Sequence, residues 1–165
     1  MEFKDKIAVV TGAARGIGLA VCQALVAEGC KVVIVDINVE AAEASAEAIR
    51  QSGGQALALG CDVSVDAQVE AVGLVVKQHF GVADILINNA VAHPLAPGNI
   101  DDIDMARWSQ ALNINVLGYV RMLKAFVPAM LARGSGYVVT TSSSLAILPN
   151  AATRHMLPYI TSKGA

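Results

Sequence analysis

Thr11-Gly12-Ala13-Ala14-Arg15-Gly16-Ile17-Gly18 is the stretch that decides the fold. Residues 6–10 before it form an apolar run of strand type. Across residues 17–28, Leu19, Val21, Cys22, Leu25 and Val26 recur at helical spacing. A glycine-rich turn between a strand and a helix is where a dinucleotide pyrophosphate meets a helix N-terminus. Glycines let the backbone come close, and free N–H groups point at the negative charge. Such turns also serve as plain tight connections, so a second signal is needed. Asp36 supplies it, closing the strand of residues 31–35, 18 residues after Gly18. A carboxylate there accepts hydrogen bonds from adenosine ribose hydroxyls and repels a 2′-phosphate, which predicts NAD over NADP. Two alternatives stand beside this. Arg15 could help a phosphate or be a solvated surface residue, and Asp36 could cap the following helix.

Outward from the turn, strand and helix patterns alternate at the pitch of βαβ units. Gly29 reads as a C-cap. An Ala/Glu-rich helix over 39–51 stops at Ser52-Gly53-Gly54, and a third strand covers 56–59. A helix over 65–80, with Ser64 or Asp66 near its start, leads to a fourth strand at 84–87. After a polar, Pro-containing stretch at 93–104, a long helix from about Met105 to Arg133 and a fifth strand at 137–141 follow. Helical crossovers between parallel strands are right-handed almost without exception. The expectation is therefore an α/β, Rossmann-like doubly wound parallel sheet with helices on both faces, residues 1–165 forming one domain.

The hydrophobic fraction of 55% and mean hydropathy of +0.53 suit strands buried on both faces. No window holds the roughly 18 consecutive apolar residues of a membrane span; the nearest, 114–131, carries Arg121 and Lys124 and reads as a buried helix. A net charge of −2, with no block of Lys or Arg, argues against nucleic-acid or anionic-membrane partners and for a small-molecule substrate. Cys22, Cys30 and Cys61 lack metal or disulfide spacing and read as small buried side chains in a reducing cytoplasm. The first six residues run into a strand without a signal-peptide apolar region. His79, His93 and His155 show no ligand spacing, so no metal is expected. His93 and His155 fall in loops near the expected cleft, as substrate contacts or solvated residues; Met105 and Trp108 are expected to pack the long helix against the body.

With these features in order, the chain resembles the short-chain dehydrogenase/reductase family over essentially its whole length. The turn matches that family's Thr-Gly-x-x-x-Gly-x-Gly spacing. Asp62-Val63 resembles its Asp-Val pair, which implies an Asp62 contact to adenine. Asn88-Asn89-Ala90 is similar to its Asn-Asn-Ala-Gly motif, which stabilises the sheet beside the cofactor; here Val91 replaces the glycine. Asn115 in Asn115-Val116-Leu117-Gly118 corresponds to the catalytic asparagine. Ser143 corresponds to the catalytic serine, with Ser142 and Ser144 as register alternatives. Tyr159 and Lys163 form the Tyr-x-x-x-Lys pair. Ala146 stands where many members have glycine, and the stretch from Ser143 to Tyr159 is a few residues longer than in many relatives.

The resemblance implies an NAD(P)-dependent oxidoreductase acting on a secondary alcohol or ketone. A free tyrosine has a pKa near 10, too high for a base at neutral pH. Lys163, at i+4 on a helix, puts an ammonium on the same face and favours the phenolate. Ser143 would hydrogen-bond the substrate oxygen, and Asn115 would pin a water that carries the relay to solvent. Members of the family usually run to roughly 250 residues, and homo-oligomers are common among them. The resemblance thus places the rest of the Tyr159 helix, two strands and the substrate loop beyond residue 165. It leaves residues 159–165 as a stub unable to hold helical geometry unaided. The alternatives are a non-catalytic dinucleotide-binding module and a lyase or epimerase on the same fold.

Overall fold

Alternate residues of the first two strands leave the sheet on opposite sides, and this sets the layering. In a computed structural model, residues 3–92, 104–147 and 156–165 are described. Strands β1 (Ile7–Thr11) and β2 (Lys31–Asp36) are Val/Ile runs buried on both faces. Ala8, Val10, Val32 and Ile34 pack against helices α1 (Gly16–Ala27) and α2 (Val39–Gln51) through Cys22, Ala42, Ala46 and Ile49. Val9, Val33 and Val35 pack the other way, against α3 (Asp66–His79) and the Met122, Phe126 and Met130 face of α5 (Gly118–Arg133). Strands β3 (Gln55–Gly60), β4 (Ile85–Asn88) and β5 (Tyr137–Thr140) complete a five-stranded parallel sheet in the order β3-β2-β1-β4-β5. The chain passes from β3 to β4 across β1. That reversal opens a crevice at the carboxyl ends of β1 and β4.

The expected Rossmann-like architecture is the observed one, with local differences. The long helix is not uniform: α4 (Met105–Leu112) joins α5 through a π-helical turn, Asn113–Leu117. The helix expected to be buried is one-sided. Met105–Arg133 is apolar enough by length and composition to cross a membrane, yet only 33% of its most apolar window is buried, and Leu117, Val120 and Leu131 face outward. Met105 does not pack against the body; in the first turn of α4 it is 68% exposed, whereas Trp108 is half-buried. Strand β5 pairs with β4 on one side, and its four residues are exposed.

Candidate active site

The glycine turn is built by close backbone approach. Gly12 has φ +62°, and a Cβ there would lie 2.7 Å from the Ala90 Cα. Thr11, fully buried, draws the two segments together: its Oγ1 accepts from the N–H groups of Asn89 and Ala90, each at 3.0 Å. Asn89 Nδ2 donates back to the carbonyls of Thr11 and Gly12 at 3.1 Å. The sheet-stabilising part expected of the Asn-Asn-Ala segment is thus played by Asn89, since the buried Asn88 amide has no hydrogen-bond partner among the described residues. Arg15 precedes α1 without a side-chain cap, and no acidic residue sits in the first turn. The N–H groups of Gly16, Ile17 and Gly18 are left for an anion.

Over this turn lies a cleft of about 410 Å³. It is lined by Gly12, Arg15, Ile17 and Gly18 of the turn, by Asp36, Asp62 and Val63 after β2 and β3, and by Asn89 and Ala90 after β4. Asp36 is held in place: Oδ2 accepts from Ala14 N and Oδ1 from Asn38 N, both at 3.0 Å. It does not cap α2, because Asn38 does so, accepting from Ala41 N at 3.0 Å. Asp62 Oδ1 accepts from the N–H and hydroxyl of Ser64, at 2.9 and 2.7 Å, which fixes the loop after β3. Arg15 and Ile17 are exposed beside the turn. The close backbone approach at Gly12 and Gly18, the uncapped helix and the fixed carboxylate together fit a dinucleotide.

The sequence reading missed Ile37, Val91 and Ile114, which also line the cleft. Ile37 is 72% exposed directly after the strand-ending acid. An apolar residue there, where a solvated turn would carry a polar one, was the available signal. Cys61 lines the cleft as well, but burial, and after it Asp62, pushes its thiol up to about 11, so it is an inert wall group. All three cysteines are buried and free.

Helix α6 (Leu157–Gly164), opened by Pro158 in its first turn, carries Tyr159 and Lys163 and packs on the π turn, whose Ile114 lines this cleft. Eight residues have little helical stability alone. The helix is formed nonetheless, because tertiary contacts hold it. Ser142 Oγ donates to the Lys163 carbonyl at 2.9 Å, and Asn115 Nδ2 donates to Ser162 Oγ at 2.8 Å. The Asn115 amide also grips the loop after β4, accepting from Ala92 N at 2.7 Å and donating to Ala92 O at 3.1 Å. Both of its N–H donors are thereby used, and one lone pair of Oδ1 remains for any water. It is 2% exposed, on the π turn that rotates it toward α6.

Lys163 is 8% exposed, and its ammonium donates to Tyr119 Oη at 2.7 Å and to the Thr141 carbonyl at 2.6 Å. Burial pushes its pKa down to about 8. An unfolded lysine keeps its proton to about pH 10.5. Between pH 8 and 10 the unfolded chain therefore binds more protons, and the contribution of Lys163 to stability rises with pH. Lys163→Met should remove this dependence. Its urea-unfolding free energy relative to the parent should be most favourable at pH 7 and fall by on the order of 1–3 kcal/mol toward pH 10. A difference independent of pH would contradict a desolvated lysine.

The three candidate serines are told apart by their partners. Ser142 is committed to the Lys163 carbonyl, and Ser144 opens the 3₁₀ turn Ser144–Ala146. Ser143 Oγ accepts from Leu145 N at 3.2 Å, which keeps its hydroxyl proton for another acceptor. Tyr159 is 9% exposed on the same helix as Lys163. His79 lies at the end of α3, edge-on to Phe80; His93 and His155 are outside the described residues. Among the described residues no group of three or more His, Cys, Asp or Glu side chains is placed to hold a metal.

Known proteins share this fold. The chain is 42% identical over 146 residues to galactitol 2-dehydrogenase of Agrobacterium fabrum (strain C58 / ATCC 33970), a match covering 88% of this chain and 55% of that one. A crystal structure of NAD+-bound xylitol dehydrogenase superposes with a TM-score of 0.91 at 34% identity, over 100% of this chain and 62% of the other. L-sorbose reductase from Gluconobacter frateurii, complexed with NADPH and L-sorbose, gives 0.90 at 30% identity, over 99% and 62%. The chain therefore spans a little over half the length of these relatives. The pattern that defines the short chain dehydrogenases runs through residues 6–165, from the residue before β1 to the residue after α6, and the chain belongs to that family.

Proposed function

We propose that this chain forms, as one domain, the cofactor-binding and proton-handling part of an NAD(P)-dependent oxidoreductase that acts on a small secondary alcohol or its ketone. The observation that carries the reading is α6: Tyr159 and the buried ammonium of Lys163 are fixed on one helix that docks on the π turn, whose Ile114 lines a cleft fit for a dinucleotide. Proteins similar over this region are named for polyol and sugar substrates, such as galactitol and L-sorbose, which favours a polyol-type alcohol here. A bound nicotinamide would supply the hydride acceptor or donor. Tyr159 takes the proton from the alcohol oxygen or returns it, Lys163 favours the phenolate by its charge, and Ser143 donates a hydrogen bond to that oxygen while keeping its proton. Asn115, with both N–H groups committed, holds α6 against the loop after β4 and has one lone pair for a relay water.

Solved neighbours carry NAD+ in one case and NADPH in another. We assign NAD to this chain because Asp36 is pinned by two backbone N–H groups and cannot swing aside for a 2′-phosphate. Asp36→Ser is expected to weaken NAD binding by about tenfold and strengthen NADP binding by a similar factor, near 1.4 kcal/mol each way. Fluorescence titration with NADH and NADPH reads both changes; unchanged preference would remove Asp36 from the recognition. The reading further implies a cytoplasmic, homo-oligomeric enzyme. Its overall test is NADH formation with a panel of polyols and secondary alcohols, alongside cofactor titration. Absence of both binding and turnover would sink it.

A further inference from the structure

Lys163 is held by a side chain outside the proton-handling set. Its ammonium has three N–H donors. Two are taken, by Tyr119 Oη on α5 at 2.7 Å and by the Thr141 carbonyl after β5 at 2.6 Å, and this fixes where the third is directed. The ammonium also lies 5.0 Å from the centroid of the Tyr119 ring. An ammonium bonded to the phenol oxygen at that distance from the centroid lies beyond the ring edge, not over its face. The contact is therefore a hydrogen bond, and the hydroxyl is the part of Tyr119 that matters. Tyr119 is 8% exposed; burial, and after it Tyr159, pushes its hydroxyl up to about 12, so it remains a neutral acceptor throughout the working range.

We propose that Tyr119 is a positioning residue for Lys163: its hydroxyl, with the Thr141 carbonyl, sets the seat of the ammonium and aims its remaining N–H into the site. The proposal rests on the reading of Lys163 as a cofactor- and proton-handling group. Among the described residues, the titratable groups nearest the ammonium are Tyr119 on α5 and Tyr159 one turn back on α6, while Arg121, Lys124 and Arg133 of α5 pair with Asp66, Glu70 and Asp84. Asn115 of the π turn, Thr141 and Ser142 carry no charge, and Arg107 of α4 is exposed and paired with Asp104 at 3.2 Å.

Lysine labelled with ¹³C at Cε tests this directly, since the sequence has six lysines and Lys163→Met identifies the resonance of Lys163. Tyr119→Phe keeps the ring and removes the acceptor. It should lower the titration midpoint of Lys163 by about one unit, a tenfold loss of the charged form at a given pH above the midpoint, with the other five lysines unmoved. An unchanged or raised midpoint overturns the proposal. Should the variant fail to fold, the unmodified protein decides: an NOE between the Lys163 Cε protons and the Tyr119 ring protons beside the hydroxyl is expected, and its absence overturns the contact. NADH titration of the unmodified chain runs in parallel. Failure to bind NADH counts against the functional reading, whereas the lysine midpoint judges Tyr119 independently.

Discussion

On the proposed function, Tyr159→Phe is expected to reduce alcohol oxidation by about a hundred- to ten-thousandfold, the range for removing a general acid–base group. Cofactor affinity should stay within about threefold. The two readouts part because the substitution removes one oxygen and keeps the ring. Tyr159 is 9% exposed and its ring helps seat α6, so phenylalanine preserves the packing that holds Lys163. What disappears is the only atom of residue 159 able to exchange a proton with the substrate oxygen. Single-turnover hydride transfer and an NADH titration on parent and variant separate the possibilities. Turnover that survives the substitution would mean that Tyr159 only packs, as the non-catalytic binding module requires. Turnover and affinity lost together would place it in binding instead.

Gly12→Val should abolish dinucleotide binding and cost about 2–4 kcal/mol of stability. Two independent causes act at this position. With φ at +62°, a β-branched residue is strained whatever space surrounds it. The new Cβ would also stand 2.7 Å from the Ala90 Cα, a backbone atom that cannot retreat while Thr11 holds the N–H groups of Asn89 and Ala90. Gly16 makes the contrast. It has φ +60° but no atom within 4 Å of a built Cβ, so Gly16→Ala should cost only the conformational strain, about 1–2 kcal/mol. Urea midpoints for the two variants test this ordering; equal losses would show that backbone strain, and not the approach of Ala90, dominates at Gly12.

Much of the fold was legible because its signals are local. The helix expected over 39–51 is α2, residue for residue, set by an Ala/Glu pattern with Asn38 before it and glycines after it. Strands β1 and β4 begin one residue later than the apolar runs suggested. Lys6 and Asp84 lie just below the sheet, where they pair with each other at 3.5 Å while Asp84 also accepts from Ile7 N. They belong to an ion cluster and not to the ladder. The π turn at Asn113–Leu117 was not legible, since one extra residue in a helical turn leaves the apolar pattern of the flanking helices intact. The exposure of Met105 was hidden for a similar reason: periodicity marks a face, and only packing decides which turns of that face meet a neighbour.

By itself the sequence determined what depends on near neighbours. The glycine turn needs glycines at set spacing, Asp36 needs only to end the strand beside it, and Tyr159 and Lys163 need only a helical rise to share a face. The tertiary structure alone decided who partners these groups. Asn89 reaches Thr11 across 78 positions, Asn115 reaches Ser162 across 47, and Lys163 meets Tyr119 across 44. Each of these contacts exists because β1 lies between β2 and β4 and α6 docks on the π turn. That arrangement follows from burying two sheet faces at once, a condition on the whole chain that no local window of sequence contains.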